Sequence, residues 1–314
     1  MALKTIKLFK HLLSLRFSDP KTFNVVYKSI RKSAKPDLRF LRYGPGHFYS
    51  PLPAQKDYEF LKNDPVDIPD TLPGVDLNKE EQLQFCIDLA KWQAEFPFEA
   101  KPQAGWRYYY DNDFFGPSDA LWLYAIMREN QPKQIIEVGS GFSSCVMLDV
   151  NEHFFNNETS LTFIEPYPKR LLSLLTDAEK SKIKLHETIV QNIPVAIFSE
   201  LNAGDILFID SSHVGKVGSD VLYLLHHVLP ALNKGVLIHF HDIFYPFMYP
   251  LEWFEKGWAW NESFFMQTFL QYNDSFKIKL FENYIVKTCP EFLQQNVSKD
   301  IPFFTGGIWL EKVK

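Results

Sequence analysis

Ten residues, Ile135 to Ser144, constrain this chain more than any other stretch; they read Ile-Ile-Glu-Val-Gly-Ser-Gly-Phe-Ser-Ser. An apolar pair, Ile135 and Ile136, runs into an acid and then into Gly139-Ser140-Gly141, and a helical pattern begins near Ser143. A buried strand, a glycine turn and a helix start in succession belong to a layered α/β fold that binds a ligand at the turn. Glycine suits the turn's backbone angles and lets a ligand approach the main chain closely. Free N–H groups at the helix start favour a polar or anionic ligand group. The dinucleotide fingerprint is incomplete, because Ser144 stands at its third glycine position. Glu137 lies at the strand end itself and not about twenty residues on, which leans towards a nucleoside cofactor without a pyrophosphate.

The chain then repeats this alternation. Helix Ser143 to about Glu152 precedes strand Ser160–Ile164, which ends in Glu165; a helix from Pro168 to about Glu179 precedes strand Ile183–Ile189, which ends near Gln191 and Asn192. A short helix around Val195–Leu201 leads to strand Asp205–Ile209 ending in Asp210. Helix Gly218–Leu232 leads to strand Gly235–Phe240 ending in His241-Asp242. Short runs that are apolar on both faces and separated by helices mean parallel strands covered on both sides. Right-handed crossovers wind them into a doubly wound, Rossmann-like sheet, with ligands beyond the carboxyl ends of the strands. A helix Glu262–Tyr272, a strand Phe276–Val286 and a strand Gly306–Val313 complete a mostly parallel seven-stranded sheet with an antiparallel C-terminal hairpin.

Upstream, residues 1–75 read as a helical and irregular N-terminal extension. Its first part, to about Lys35, is basic and partly amphipathic, with Lys4, Lys7, Lys10, Arg16, Lys28, Arg31 and Lys32 against Asp19; a Pro-rich arm follows from Pro45 to Pro73. Such a helix suits peripheral contact with an anionic membrane, or packing on the domain or a partner subunit. Residues 76–314 read as the ligand-binding domain, with a core over 131–242 and a flap plus the hairpin over 243–314. A helix Asn78–Phe96, capped by Asp76 or Asn78, opens it. The aromatic loop Arg107–Gly116 follows, as a lid on the pocket or a packed corner, and Ser118 and Asp119 introduce a helix through Arg128.

A net charge of -5 argues against a nucleic-acid binder. Three cysteines without a CxxC spacing argue against a disulfide framework or zinc ribbon and fit a reducing compartment. With no membrane-spanning run and no secretory leader, the chain reads as cytoplasmic.

Strand, acid-x-Gly-x-Gly turn, helix, a second strand ending in an acid and a terminal hairpin together resemble class I S-adenosylmethionine-dependent methyltransferases, over roughly Tyr109–Lys314. The resemblance implies S-adenosylmethionine as cofactor, with Glu137, Gly139, Ser140, Gly141, Ser143 and Ser144 about its methionine end. It puts Glu165 and Pro166 at the ribose, Asn192, or Gln191, at the adenine edge, and Asp210 too among the cofactor-binding residues. A carboxylate suits a ribose because it accepts two donors from a diol. Within that family, Asp210-Ser211-Ser212-His213 and His241-Asp242 resemble the metal-dependent sugar and phenol O-methyltransferases. That branch holds magnesium between the first Asp and a later Glu-Asp pair, and uses the spaced His as base.

Carried over residue by residue, this implies Asp210, His241 and Asp242 as metal ligands and His213 as base, with Asp210 and Asp242 beside it. His241 stands where the branch has Glu; imidazole suits a transition metal better than a hard, oxygen-loving ion, so magnesium and another divalent metal both stay open. The reaction expected is in-line attack of an acceptor oxygen on the sulfonium methyl, with the protein aligning the nucleophile and taking its proton. Phe244 to Pro250 with Trp253, Trp258 and Trp260 offer a stacking wall for a sugar or aromatic acceptor, or else a rigid flap. His239, inside the strand, reads as core. The alternative from another class is a catalytically silent, cofactor-binding interaction protein at a membrane surface. A homo-oligomer stays open.

Overall fold

The computed structural model describes residues 14, 16, 18–33, 42–63, 68–297 and 304–314. They divide into two compact units, Met1–Val66 and Asp67–Lys314. The first carries helices Pro20–Ser33 and Gln55–Asn63 and a cluster of the rings of Tyr43, His47, Phe48 and Tyr49. Lys4, Lys7 and Lys10 of the basic N-terminal stretch lie outside the described residues. The second unit begins ahead of the boundary read at 75/76, since Leu72 and Val75 are buried in its core and bridge to each other. Among the described residues no helix is long and apolar enough to cross a membrane.

The second unit is built on one seven-stranded sheet. Its strands are β1 (Gln134–Val138), β2 (Ser160–Ile164), β3 (Lys184–His186), β4 (Ile206–Ile209), β5 (Leu237–His241), β6 (Phe276–Phe281) and β7 (Gly307–Lys312), in the order β3-β2-β1-β4-β5-β7-β6. β1 to β5 are mutually parallel, and β7 lies between β5 and β6, antiparallel to both. All of β4 and β5 is buried, as expected of strands covered on both faces.

Where local chemistry differs from the simple periodic pattern, the elements shift. The helix expected over 168–179 is two, Lys169–Ser173 and Asp177–Lys180. Thr176 interrupts it as the N-cap of the second, in a reciprocal capping box with Glu179. The strand expected over 276–286 stops at Phe281, and a helix Glu282–Thr288 begins. There one Glu282 carboxyl oxygen shares a hydrogen bond with Thr305 Oγ1 and the other accepts from the indole of Trp309, and Tyr284 and Ile285 bury on a helix face instead of alternating. Asn78 precedes helix Lys79–Gln93 in a left-handed conformation without capping it; its own N–H donates to Asp76. Asp119 does tie down the start of helix Pro117–Asn130, accepting from the N–H of Gly116.

Candidate active site

Register brings three chain segments together at the carboxyl ends of β1, β4 and β5. Val138 pairs with Ile209 and Ile209 with Phe240, so Gly139, Asp210 and His241-Asp242 emerge side by side. Gly139 has φ +84, and a Cβ there would fall 1.8 Å from the carbonyl oxygen of Asp210. The glycine is therefore required by the neighbouring strand end as well as by the turn. His213 and Asp242 also take left-handed backbone conformations, φ 58 and 57, which cost energy in non-glycine residues and concentrate at functional sites.

These ends open into a cavity of about 730 Å³. One side is the glycine turn: Gly139, Ser140, Gly141 and Ser143, with Glu165 and Arg170. Glu165 accepts from the N–H of Ser140 at 3.1 Å with one oxygen and from that of Tyr167 at 2.7 Å with the other. Each oxygen keeps a lone pair for a further donor, so the carboxylate can still take a diol. Glu137 lies beneath the turn and outside the lining. It accepts from Ser143 Oγ at 2.6 Å and from Ser144 Oγ, whose oxygen in turn accepts from the N–H of Gly141 at 3.0 Å. Burial lifts its pKa to about 8, against the opposing pull of the serine hydroxyls.

The other side gathers Asp210, His213 and Asp242 before an aromatic wall of Phe244, Trp253, Trp258, Trp260 and Phe304. His213 is buried, with Nδ1 2.9 Å from Glu262 Oε2 and Nε2 3.3 Å from Asp210 Oδ1 and 3.5 Å from Asp242 Oδ2. Its ring lies 4.3 Å from that of Trp260. Glu262 is itself only 1% exposed and takes a second hydrogen bond from Ser211 Oγ at 2.9 Å. Burial alone would depress the His213 pKa, but hydrogen bonds to Asp210 and Glu262 and the charges of Glu262 and Asp242 raise it well above the ordinary value. Burial likewise pushes Asp210 up, and the His213 hydrogen bond with the charges of His241, His213 and Arg170 brings it below its usual range. Asp242 stays raised, because burial outweighs its two histidine neighbours.

One ligand atom each from Asp210, His213 and Asp242 lies within 4.8 Å of the others. Two carboxylate oxygens and an imidazole nitrogen at that spacing suit a divalent cation. The Glu262 bond orients the imidazole as carboxylates do behind metal-bound histidines. His213 thus occupies the ligand position expected of His241, which instead sets its Nε2 3.9 Å from Asp242 Oδ1 and its Nδ1 3.5 Å from Nε2 of His239.

Of the residues expected from the sequence, Gly139, Ser140, Gly141, Ser143, Glu165, Asp210, His213, His241 and Asp242 line this one cavity, while Glu137, Ser144, Pro166 and Asn192 do not. Asn192 is exposed and donates to Thr188 Oγ1 at 2.9 Å. The N–H groups of Ser140 and Gly141, expected to be free for a ligand, are spent on Glu165 and Ser144. Three contributors escaped the sequence reading. Glu262 looks like an ordinary acid in a first helical turn, Asp119 like a cap, and Arg170 like any surface cation; only the fold turns them inward.

Residues 136–243 match a family profile described as a methyltransferase domain. An uncharacterized protein from Archaeoglobus fulgidus is 37% identical over 134 residues, which are 41% of this chain and 61% of that protein. The chain therefore spans 61% of the length of the curated relative it matches. Similar solved structures include the SAH-bound methyltransferase PaMTH1 of Podospora anserina, at 15% identity and TM-score 0.42, covering 84% of this chain and 98% of that one. Another is the O-methyltransferase TomG of Streptomyces achromogenes, involved in tomaymycin synthesis and solved with SAM, at 12% identity and TM-score 0.42, covering 82% and 96%.

Proposed function

We propose that the chain, whose residues 136–243 match a methyltransferase-domain profile, transfers a methyl group from S-adenosylmethionine to a hydroxyl of a small sugar-like or phenolic acceptor. The observation that carries this reading is the single cavity, with the glycine turn and Glu165 on one side and His213, Asp210 and Asp242 before stacked indoles on the other. Bound there, the cofactor supplies an electrophilic methyl on a sulfonium. The chain's own residues bind, orient and take the proton.

Glu165 has the spare lone pairs to accept a ribose diol, and the main chain of Gly139–Gly141 lies open to the cavity. Trp258 and Trp260, stacked at 4.9 Å, and Trp253 at right angles to Phe244 give a flat acceptor ring an apolar surface beside His213. His213 Nε2 accepts the acceptor's proton while Nδ1–H stays bonded to Glu262. Three surrounding carboxylates make that nitrogen strongly basic, and positive charge entering the cavity opposes them and returns its proton affinity towards neutrality. Asp210, His213 and Asp242 would hold a divalent ion, which polarises an oxygen ligand; a proton and a metal exclude each other at Nε2.

The test is calorimetry with S-adenosylmethionine and S-adenosylhomocysteine, with and without magnesium or manganese, followed by a methyl-transfer screen of phenols and sugars. Binding of both nucleosides together with methylation of a hydroxyl acceptor is expected. Failure of both nucleosides to bind at millimolar concentration would sink the reading.

A further inference from the structure

We propose that Arg170 is the anion receptor of this cavity and takes the α-carboxylate at the amino-acid end of the sulfonium nucleoside; the assignment rests on the cofactor reading above. Charge balance points to it first. Asp113, Asp119, Glu165, Asp210 and Asp242 line the cavity, and among the described residues that line it Arg170 is the only arginine or lysine. A sulfonium amino acid carries two cationic groups and one anionic one. The acids suit the cations, which leaves the carboxylate needing a fixed positive partner.

The main chain is poorly placed to provide it. A glycine turn at a helix start ordinarily offers its N–H groups to an anion, but here Ser140 N–H donates to Glu165 and Gly141 N–H to Ser144 Oγ. Arg170 stands over this same turn: a Cβ built on Gly141 would lie 3.2 Å from its Cδ and 3.8 Å from one of its terminal nitrogens. Its guanidinium carbon sits 3.6 Å from the centroid of the Phe114 ring. That ring is stacked on Phe142, and its loop is fastened by Asn112, whose side-chain oxygen accepts from the N–H groups of Phe114 and Phe115. An aromatic ring engages one face of a guanidinium and leaves free the N–H donors in its plane. No carboxylate of the described residues lies within ion-pair distance of the group. Arg170 is thus a positioned cation whose donors are free for a ligand at the turn.

The experiment compares S-adenosylmethionine with its decarboxylated form, which keeps the adenosine, the sulfonium and the amine, in binding titrations of the full chain and of Arg170→Gln and Arg170→Lys. A charge-assisted bond to a carboxylate corresponds to a preference of roughly 10- to 100-fold. The unaltered chain should show that preference, Arg170→Gln should lose it while binding the decarboxylated ligand within about twofold of the unaltered chain, and Arg170→Lys should recover part of it. Equal weakening of both ligands, or none, overturns the assignment and leaves the cofactor reading standing. If the unaltered chain binds neither, the cofactor reading fails and the assignment with it. Arg170 is exposed, and an unchanged melting temperature of each variant confirms that folding is intact.

Discussion

Asp242 stands between two imidazoles, and the two sides are wired differently. Towards His213, Nδ1 is tied to a buried carboxylate at 2.9 Å, and Nε2 faces Asp210 and Asp242 in the cavity. Towards His241, the neighbours are His239, Asp119, Thr305 and Glu282, the last three bonded to one another through Thr305. Thr305 Oγ lies between a carboxyl oxygen of Asp119 at 2.6 Å and one of Glu282. A hydroxyl has one proton to donate, so one of those carboxyls must bring its own. Burial raises both groups, Glu282 to about 8, which fits a neutral Glu282 acid donating to Thr305 and Thr305 donating to Asp119. His239, held neutral by burial and by the charge of His241, lies 4.0 Å from the other Glu282 oxygen. Residue types are shared between the sides; direction is not. One side presents a nitrogen to a ligand; on the other, His241, Asp119 and Thr305 also line the cavity, but the polar groups bond mainly among themselves.

If that contrast holds, His213→Ala gives the largest effect: turnover should fall by roughly 10²- to 10⁴-fold, the range for losing a general base, with cofactor affinity by calorimetry nearly unchanged. His241→Ala should cost less, and the opposite ranking would reverse the roles assigned to the two histidines. Glu262→Gln comes next. It removes a charge but keeps an oxygen that can accept from Nδ1–H, so kcat should drop by about 10- to 100-fold while KM holds. Losing that negative charge lowers the His213 pKa, so the acid limb of the rate profile should move to lower pH. A uniform loss at every pH would mean that Glu262 only packs.

Much of the fold was legible because its signals are local. Ile135-Ile136 before Gly139 announces β1 and its turn, and acids at strand ends mark the ligand side wherever helices alternate with buried strands. The helix break at Thr176 is legible too, as Thr-x-x-Glu, a capping signal that overrides the apolar spacing there. Glu262 could not be read, since 49 residues separate it from His213 and only the return of the chain past Trp260 brings them together. Nor could the exchange between His241 and His213 at the metal-ligand position. That depends on which imidazole turns towards Asp210, set here by the left-handed backbone at residue 213 and by the N–H groups of Asn261 and Glu262 clamped on the His213 carbonyl.

The smallest expected effect lies on the His241 side, at buried Glu282, and shows in stability more than in rate. Glu282 has a folded-state pKa of about 8 against an ordinary 4.5, so the folded chain holds this proton more tightly than the unfolded chain. The stability it contributes is fully present below about pH 4.5 and is lost as pH rises through about 8. Glu282→Gln replaces the neutral acid with a neutral amide of similar shape, which can donate to Thr305 and accept from Trp309. Thermal unfolding followed from pH 5 to 8 should therefore fall less steeply for this variant, with turnover within a few-fold of the unaltered chain. Glu137, also near 8, should keep its own share of the slope, and Glu137→Gln should remove that share in turn. An unchanged slope in Glu282→Gln would mean that Glu282 is ionised in the fold, with the shared proton on Asp119 instead, and Asp119→Asn should then flatten the curve.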